Sequence, residues 1–552
     1  MKGFRFSAAI AAATVLVGAT YATGALADDP MLSKAAPMTY VLPPAASCGS
    51  AYDFFFTACP LSWYGIKVFG IVDTGASYQT HGVPFDPNHP TGGAYLIGAG
   101  GPNAPNRSAG FFAGENALSQ STIGVTIQES LGGGWSFVGQ AELPFEPYSG
   151  LLSNAPQAEF NSIGVLENRQ AAPFDSSRWG WLAGQDYAGV SSMNAGTLTF
   201  GRQNALTLDG NNAYDPMGGS YAFSVIGYSG KNGGAGDTED GRWTTAIKYR
   251  VNIGDGRFSA MVQPIGLFGG GASGAGYNAF NANNGAVEIG IGGDIKHRVP
   301  GVISWDLIGT YEKDAVNWTT LFPGPASATN TQGWPTLFGA GGLKATLSNN
   351  LAGMALLKWS FGSWGNTAPI VGKGPVAPSG PTGVPLTLYA GYQLIQFSNP
   401  SDAVTSSFRD DGFAFNFVNA GATLLSANGT TIANNAFNSQ CGSGTGCTNE
   451  IFQVMWTGAK YGITRDLDIV GAYYHYIQNT FVQNVNCSPS AASGNSRCGG
   501  WLDAYSLLLD WRFLPKWDAY LGTMYSAAYG GLANGDITRN NFATTAGVRF
   551  RF

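Results

Sequence analysis

The sequence predicts an all-β chain closed into a sixteen-stranded antiparallel transmembrane barrel, and three observations carry that prediction. The first is composition: of 552 residues 80 are glycine, aromatics make up 13% and charged residues only 11%, against roughly 25% charged in ordinary soluble domains. The second is a secretory leader with no later apolar run of the 18 or more residues that a spanning helix needs. The third is period-two alternation along the mature chain, with one face apolar and bracketed by aromatics. An exported chain without a membrane helix can still cross a bilayer, provided its sheet closes on itself.

Composition also excludes. A disordered chain is poor in aromatics and rich in charge, and a cytosolic enzyme carries more Lys, Glu and Arg on its surface. With a net charge of −6 and no basic block, nucleic acid is not an expected partner.

The leader comes first. Lys2 and Arg5 precede an alanine-rich apolar stretch that ends in Ala25-Leu26-Ala27, followed by Asp28-Asp29-Pro30. These are the marks of a cleaved signal peptide over 1–27, whose loss leaves the mature chain at −8. Residues 28–61, with Pro37, Pro43 and Pro44, precede the first strand and read as an N-terminal periplasmic extension. The barrel is expected over 62–552. Six cysteines form three close pairs, Cys48/Cys59, Cys441/Cys447 and Cys487/Cys498, in Gly/Ser/Asn-rich surroundings. In an exported chain these are candidates for loop-closing disulfides. A metal site is the weaker alternative, because there is no CxxC and the only histidines are His81, His89, His297 and His475.

The strands follow. From Ser62 to Thr80 the even positions read Tyr64, Ile66, Val68, Gly70, Val72, Thr74, Ala76 and Tyr78, while the odd ones include Lys67, Asp73 and Gln79. That is the pattern of a strand with lipid outside, aromatic girdles at both interfaces and a wet lumen inside. Later, Trp243, Thr245, Ile247, Tyr249 and Val251 alternate with Arg242, Lys248 and Arg250. Trp517, Ala519, Leu521, Thr523 and Tyr525 share a face, and Phe542, Ala546, Val548, Phe550 and Phe552 oppose Arg549 and Arg551. Around Leu467–Gln478 both faces are mixed. Strands are expected at 62–80, 120–130, 133–143, 177–187, 195–203, 242–253, 256–268, 284–295, 301–313, 351–362, 385–397, 450–463, 466–480, 500–513, 516–527 and 541–552.

The connections alternate between tight and long, as they must when both chain ends lie in the periplasm. Tight turns include Gly132-Gly133-Gly134, Asn252–Gly256, Ile463–Asp466 and Leu514–Lys516. Long loops include 81–119, 144–176, 204–241, 398–449 and 481–499. Reading 341–349 as a strand would put the long 398–449 loop on the periplasmic side, so 341–350 is assigned to an outer loop. The Pro/Gly-rich 363–384 is then an unusually long periplasmic turn.

Laid out in this way, the chain resembles the general porins of Gram-negative outer membranes, particularly those of alphaproteobacteria. The resemblance rests on Val68-Phe69-Gly70-Ile71-Val72-Asp73-Thr74-Gly75 and Glu129-Ser130-Leu131-Gly132-Gly133-Gly134. It extends to Gly196-Thr197-Leu198-Thr199-Phe200-Gly201-Arg202-Gln203, Tyr461-Gly462-Ile463-Thr464-Arg465-Asp466-Leu467 and the terminal Ala546-Gly547-Val548-Arg549-Phe550-Arg551-Phe552. It implies a homotrimer of sixteen-stranded barrels in outer-membrane lipid and lipopolysaccharide, each a water-filled pore passing ions and small polar solutes. It also implies a third outer loop, about 204–241, folded inward to constrict the pore. Phe552 would be the aromatic end presented to the barrel-assembly machinery. Such porins carry arginines on the wall opposite that loop; Arg178 and Arg242 sit where two would be. The place of a third reads Gln120-Ser121-Thr122, a departure that weakens the carry-over of an anion preference and leaves the ion preference open.

The charged candidates are therefore Lys67, Arg178, Arg242, Lys248 and Arg250 on the wall, with Arg202 on the other parity. Against them stand the loop acids Asp209, Asp215, Asp237, Glu239 and Asp240. Facing rows of opposite charge set a transverse field across a passage and tune ion preference; the plainer reading is ordinary solvated residues. Other motifs carry less. Asp73-Thr74-Gly75 looks like half of an aspartic protease site, but that chemistry needs two carboxylates sharing a proton, and the chain holds no second copy. Glycine strings such as Gly98–Gly101 and Gly269–Gly276 lack a following GK[ST] and read as loops. No cofactor is implied and no turnover is expected. Two alternatives remain: a substrate-selective porin, which would line its lumen with aromatics, whereas Trp179, Trp181, Trp243 and Trp517 read as outward; and a secreted β-rich adhesin, which would need neither Phe552 nor tyrosine-bracketed lipid faces.

Overall fold

The computed structural model describes residues 47–80, 109–150, 184–228, 242–264, 285–296, 300–318, 343–361, 386–398, 423–426, 449–481, 487–488, 498–531 and 540–552, apart from positions 115, 146, 149, 221, 314, 315 and 348. Sixteen antiparallel strands close into one barrel. In chain order they are β2 (Ile66–Gln79), β4 (Thr122–Gly132), β5 (Trp135–Pro144), β6 (Asp186–Ser192), β7 (Gly196–Asn204) and β8 (Arg242–Ile253). Next come β9 (Gly256–Gln263), β10 (Ala286–Ile295), β11 (Val302–Glu312), β14 (Asn349–Phe361) and β15 (Leu386–Ser398). Last are β17 (Glu450–Gly462), β18 (Leu467–Gln478), β19 (Gly500–Leu514), β20 (Trp517–Gly530) and β21 (Asn540–Arg551). The ring closes where β21 pairs with β2, from Gln79↔Ala543 down to Ile71↔Arg551. Reciprocal backbone bonds of 3.0 Å between Gly70 and Phe552 extend that seam.

Short strands decorate the ring. β1 (Leu61–Trp63) folds back on the start of β2, and β3 (Gly110–Ala113) pairs with its outer half while β4 pairs with its inner half. The segment 341–350 supplies no seventeenth barrel strand. Leu343–Leu347 is β13, and it joins β12 (Val316–Trp318) and β16 (Thr423–Ser426) in a separate three-stranded sheet. The connection 363–384 lies outside the described residues, yet Phe361 pairs with Leu386, so it joins the same end of the barrel as the tight turns.

Alternation sets which side chains face where. On β18 the even residues are buried and the odd ones half-buried, and β19 alternates in the same sense, with Asp510 inward and Trp511 outward. Outward residues Tyr473, Tyr505, Tyr525 and Phe542 lie in register on four consecutive strands, forming one aromatic girdle. Trp511, Trp517 and Phe550 belong to the periplasmic one. The mixed faces of Leu467–Gln478 have a cause: His475 Nδ1 lies 2.7 Å and the Tyr473 hydroxyl 2.6 Å from Asp503 Oδ1, on the outward side. His475 and Asp503 pair one step above the girdle, at the depth where headgroups and water begin.

Two expectations are corrected. The fourth barrel strand was expected at 177–187 and runs over Asp186–Ser192, because the tight turn at 193–195 pins Ser192 to Gly196. The alternation at Trp179 and Trp181, which suggested the earlier start, lies outside the described residues. Trp243, expected to face lipid, is 1% exposed. Between Gly201↔Ala246 and Gln203↔Trp243, β8 carries one residue more than β7. That bulge reverses the parity of everything N-terminal to it.

Candidate pore constriction

The loop after β7 enters the barrel as helix α2 (Leu206–Tyr214) and continues to a short helix α3 (Val225–Tyr228). The Ala205 N-cap has no side chain to offer, and the wall provides one. Glu288, fully buried on β10, accepts from Leu206 N (2.5 Å), Thr207 Oγ1 (2.9 Å) and Thr310 Oγ1 (3.0 Å). A carboxylate here satisfies orphan N–H groups and faces the positive end of the helix dipole.

At the other end of α2, Tyr214 is held three ways. Its hydroxyl donates to Asp306 Oδ2 (2.6 Å) and accepts from Arg257 Nη2 (2.9 Å), and its carbonyl accepts from Trp456 Nε1 (3.0 Å). Asp215 then accepts from the Tyr474 hydroxyl (2.6 Å) and from Gly219 N (2.8 Å). Burial pushes the Asp215 carboxyl above its ordinary range, while these donors and Ser224 pull the other way. Pro216 and Phe223 lie so close to the wall that a Cβ on Gly458 or Gly522 would meet them at 2.5 and 2.7 Å. Ser220 Oγ and Ala222 N both donate to Ala117 O (2.8 and 2.9 Å).

Ala117 belongs to a second inward segment, 116–121, tethered by Asp73. The Asp73 carboxylate accepts from Leu118 N (2.8 Å), Ser119 N (2.7 Å) and the Tyr520 hydroxyl (2.6 Å). The protease-like Asp73-Thr74-Gly75 is thus a wall strand whose acid holds backbone. Gln120 and Ser121, expected inside the second strand, instead precede β4 and are buried in this segment.

The structure brings three of the sequence candidates together. Asp209, on α2, ion-pairs with Lys248 Nζ (2.6 Å) and with Arg250 Nη2 on β8, and accepts from Asn204 Nδ2 (3.2 Å). Lys248 also donates to Asn204 O (2.6 Å). Asp215 stands at the far end of α2, and Lys67 is exposed at the periplasmic end of β2. Arg242 lies at the outer end of β8, opposite Asn204, on the other side of the strand from inward Trp243. Arg178, Asp237, Glu239 and Asp240 lie outside the described residues, as do Cys441 and Cys447. Cys48–Cys59 and Cys487–Cys498 are disulfides.

A second set of lumen charges is not among the sequence candidates, although Arg549 and Arg551 read as facing away from the lipid. On β17–β21, Asp468 pairs with Arg512 (2.7 Å) and Lys460 (3.0 Å), and Asp518 with Arg549 (2.5 Å) and Arg551 (3.5 Å); Asp510 lies between. Arg257 bridges Asp294 and Asp306, each at 2.9 Å. The signal was present: Asp510/Arg512 and Arg549/Arg551 are same-parity pairs among apolar neighbours.

A sixteen-stranded barrel with an inward loop pinned by wall charges now meets its relatives. A sequence profile for Gram-negative porins matches residues 10–346, more than half of the chain. The chain belongs to the Gram-negative porin family. As a porin it is a diffusion pore of the outer membrane. No curated protein matches its sequence. Among solved structures, the porin resembles the anion-selective porin of Comamonas acidovorans at 13% identity and TM-score 0.47, over 88% of this chain and 99% of that one. The outer membrane channel DcaP of Acinetobacter baumannii follows at 12% and 0.43, over 89% and 99%. Salmonella typhi OmpF, solved in complex with daunomycin, gives 11% and 0.41, over 88% and 98%. Likenesses this distant carry nothing to this porin's selectivity.

Proposed function

We propose that this porin is a passive, water-filled channel for ions and small hydrophilic solutes, working without cofactor or turnover as a homotrimer. Residues 1–27 are the leader removed on export, 28–61 a periplasmic extension and 62–552 the barrel. Phe552 is presented to the assembly machinery, and the outer wall meets membrane lipid and lipopolysaccharide. The observation that carries the reading is the clamped loop, which carries α2 into the barrel and ion-pairs its Asp209 with Lys248 and Arg250 on the wall. A negative loop set against a positive wall orients water and polar solutes, while an apolar solute gains nothing from the field. On this reading Lys248, Arg250 and Asp209 are the principal field residues. Lys67, Asp215, Arg242 and the unplaced Arg178, Asp237, Glu239 and Asp240 contribute from farther off.

Inward Trp243, Trp456, Tyr474 and Tyr520 would suit a substrate-selective porin, but Trp456, Tyr474 and Tyr520 are spent on holding the inward segments. Single-channel recording of the purified porin in a planar bilayer tests the proposal. Discrete conductance steps with ohmic current are expected, and their absence would sink it. Current blocked by one sugar or amino acid at millimolar concentration would favour the selective alternative.

A further inference from the structure

The periplasmic rim carries a feature that the pore does not use. Cys48 and Cys59 close a loop, with Cα atoms 5.1 Å apart, around helix α1 (Ala51–Phe56), which Ser50 caps through Asp53 N at 3.1 Å. The loop is bolted to the turn between β19 and β20: Lys516 Nζ donates to Phe54 O (2.8 Å) and Trp517 Nε1 to Phe55 O (2.9 Å). The Phe54 ring sits 5.5 Å from Phe550 and 5.1 Å from Phe552. Phe550 is therefore only 8% exposed, whereas outward Phe542 on the same strand is 41% exposed.

The loop covers part of the lipid-facing wall and replaces it with aromatic surface of its own. The Tyr52 and Phe56 rings lie 5.1 Å apart, tilted by 36°, and Trp63 and Tyr64 meet edge to face at 5.1 Å. All four are exposed, Trp63 by 69% and Tyr64 by 80%. From Cys48 to Ile66 the only charged residue is Asp53, whose carboxylate accepts from Ser50 Oγ at 2.8 Å. Exposed Leu131 and Trp135 flank the neighbouring β4–β5 turn on the same rim. An aromatic patch that continues a lipid-facing wall fits the headgroup boundary, where amphipathic rings are stable.

We propose that the Cys48–Cys59 loop is an interfacial foot, seating the seam of the barrel on the periplasmic leaflet of the membrane. The strands near the seam end in Phe550 and Trp517, and the loop lies over them, so the girdle there is rebuilt by residues outside the sheet. A helix of six residues does not hold itself against a membrane. The disulfide and the bolts from Lys516 and Trp517 fix its aromatics in place beforehand, so membrane contact orders little further chain.

Photo-crosslinking tests the assignment. p-Benzoyl-phenylalanine replaces Tyr52 in one variant, Trp63 in a second and lipid-facing Phe542 in a third, in the full oxidised porin in phosphatidylethanolamine/phosphatidylglycerol vesicles. The proposal expects adducts heavier by one phospholipid at all three positions. A crosslink from Tyr52 or Trp63 to a second chain overturns it, as does an adduct at Phe542 alone. A Cys48→Ser/Cys59→Ser variant that still migrates as a folded barrel should lose the Tyr52 adduct several-fold. An unchanged yield removes the disulfide from the foot, while an equal loss in a Cys487→Ser/Cys498→Ser control points to a global effect and counts against it.

Discussion

Two charged regions line this lumen, and they are held in different ways. On β17–β21, Asp468, Arg512, Asp518 and Arg549 pair from strand to strand, so their ion pairs are made within the sheet, although Arg549 also donates to Ser119 of the inward segment. Around α2, Asp209 meets Lys248 and Arg250 only because Glu288, Asp306, Trp456 and Tyr474 hold the loop where it is. The first region is part of the wall and stiffens it. The second belongs to the inward loop, and on the proposed reading its charges act on the pore.

The strongest test of that contrast is Arg512→Ala. It leaves Asp468 with Lys460 but without its bidentate partner, and breaking a buried pair costs about 3 kcal/mol. Barrel unfolding, followed by heat-dependent gel mobility, should shift to lower temperature while the reversal potential in a salt gradient stays nearly fixed. A large selectivity change with unaltered stability would erase the distinction. Glu288→Ala comes next and should do the reverse. Losing a helix cap costs about 1–2 kcal/mol, which multiplies the undocked loop population roughly 5–30-fold. Single-channel conductance should rise and become noisier with little change in barrel stability.

Asp209→Asn should then move the reversal potential toward anions, and Arg250→Glu toward cations; no shift in either variant would take both residues out of the field. A smaller effect is expected from pH. Burial raises the Asp215 carboxyl above the ordinary carboxylate range, so the docked loop binds its proton more readily than the undocked one. Docking is therefore favoured as pH falls through the raised value and weakens as pH rises past it. Current noise should fall as pH is lowered through the raised range, and Asp215→Asn should remove that dependence. Smallest of all is Arg242→Glu: with Arg242 beyond the β8 bulge, its reversal potential should change less than that of Arg250→Glu.

This contrast also explains what could be read in the sequence. Fifteen of the sixteen strand positions follow from alternation, a signal carried by residues two apart, with the girdle tyrosines marking depth. Alternation fails where the backbone inserts a residue, as at Trp243, or where a turn is tighter than it looks, as at 193–195. Asp209, Lys248 and Arg250 were within reach, since parity and loop position both pointed inward. Glu288 and Tyr474 were not. They touch the loop across 82 and 259 residues of sequence, and no local pattern marks an inward acid as a cap for a helix elsewhere.

The long reach of these anchors has a consequence in time. The loop leaves the sheet at Asn204, but its supports are synthesised from Glu288 through Trp456 and Tyr474 to Gly522. Contacts so distant in sequence form late, because loop closure must come before they give any return. A barrel still lacking its last strands would be an unguarded hole, with α2 capped at one end and loose at the other. The inward loop is therefore finished only when the wall is, and a chain that has not closed its sheet has not yet seated it.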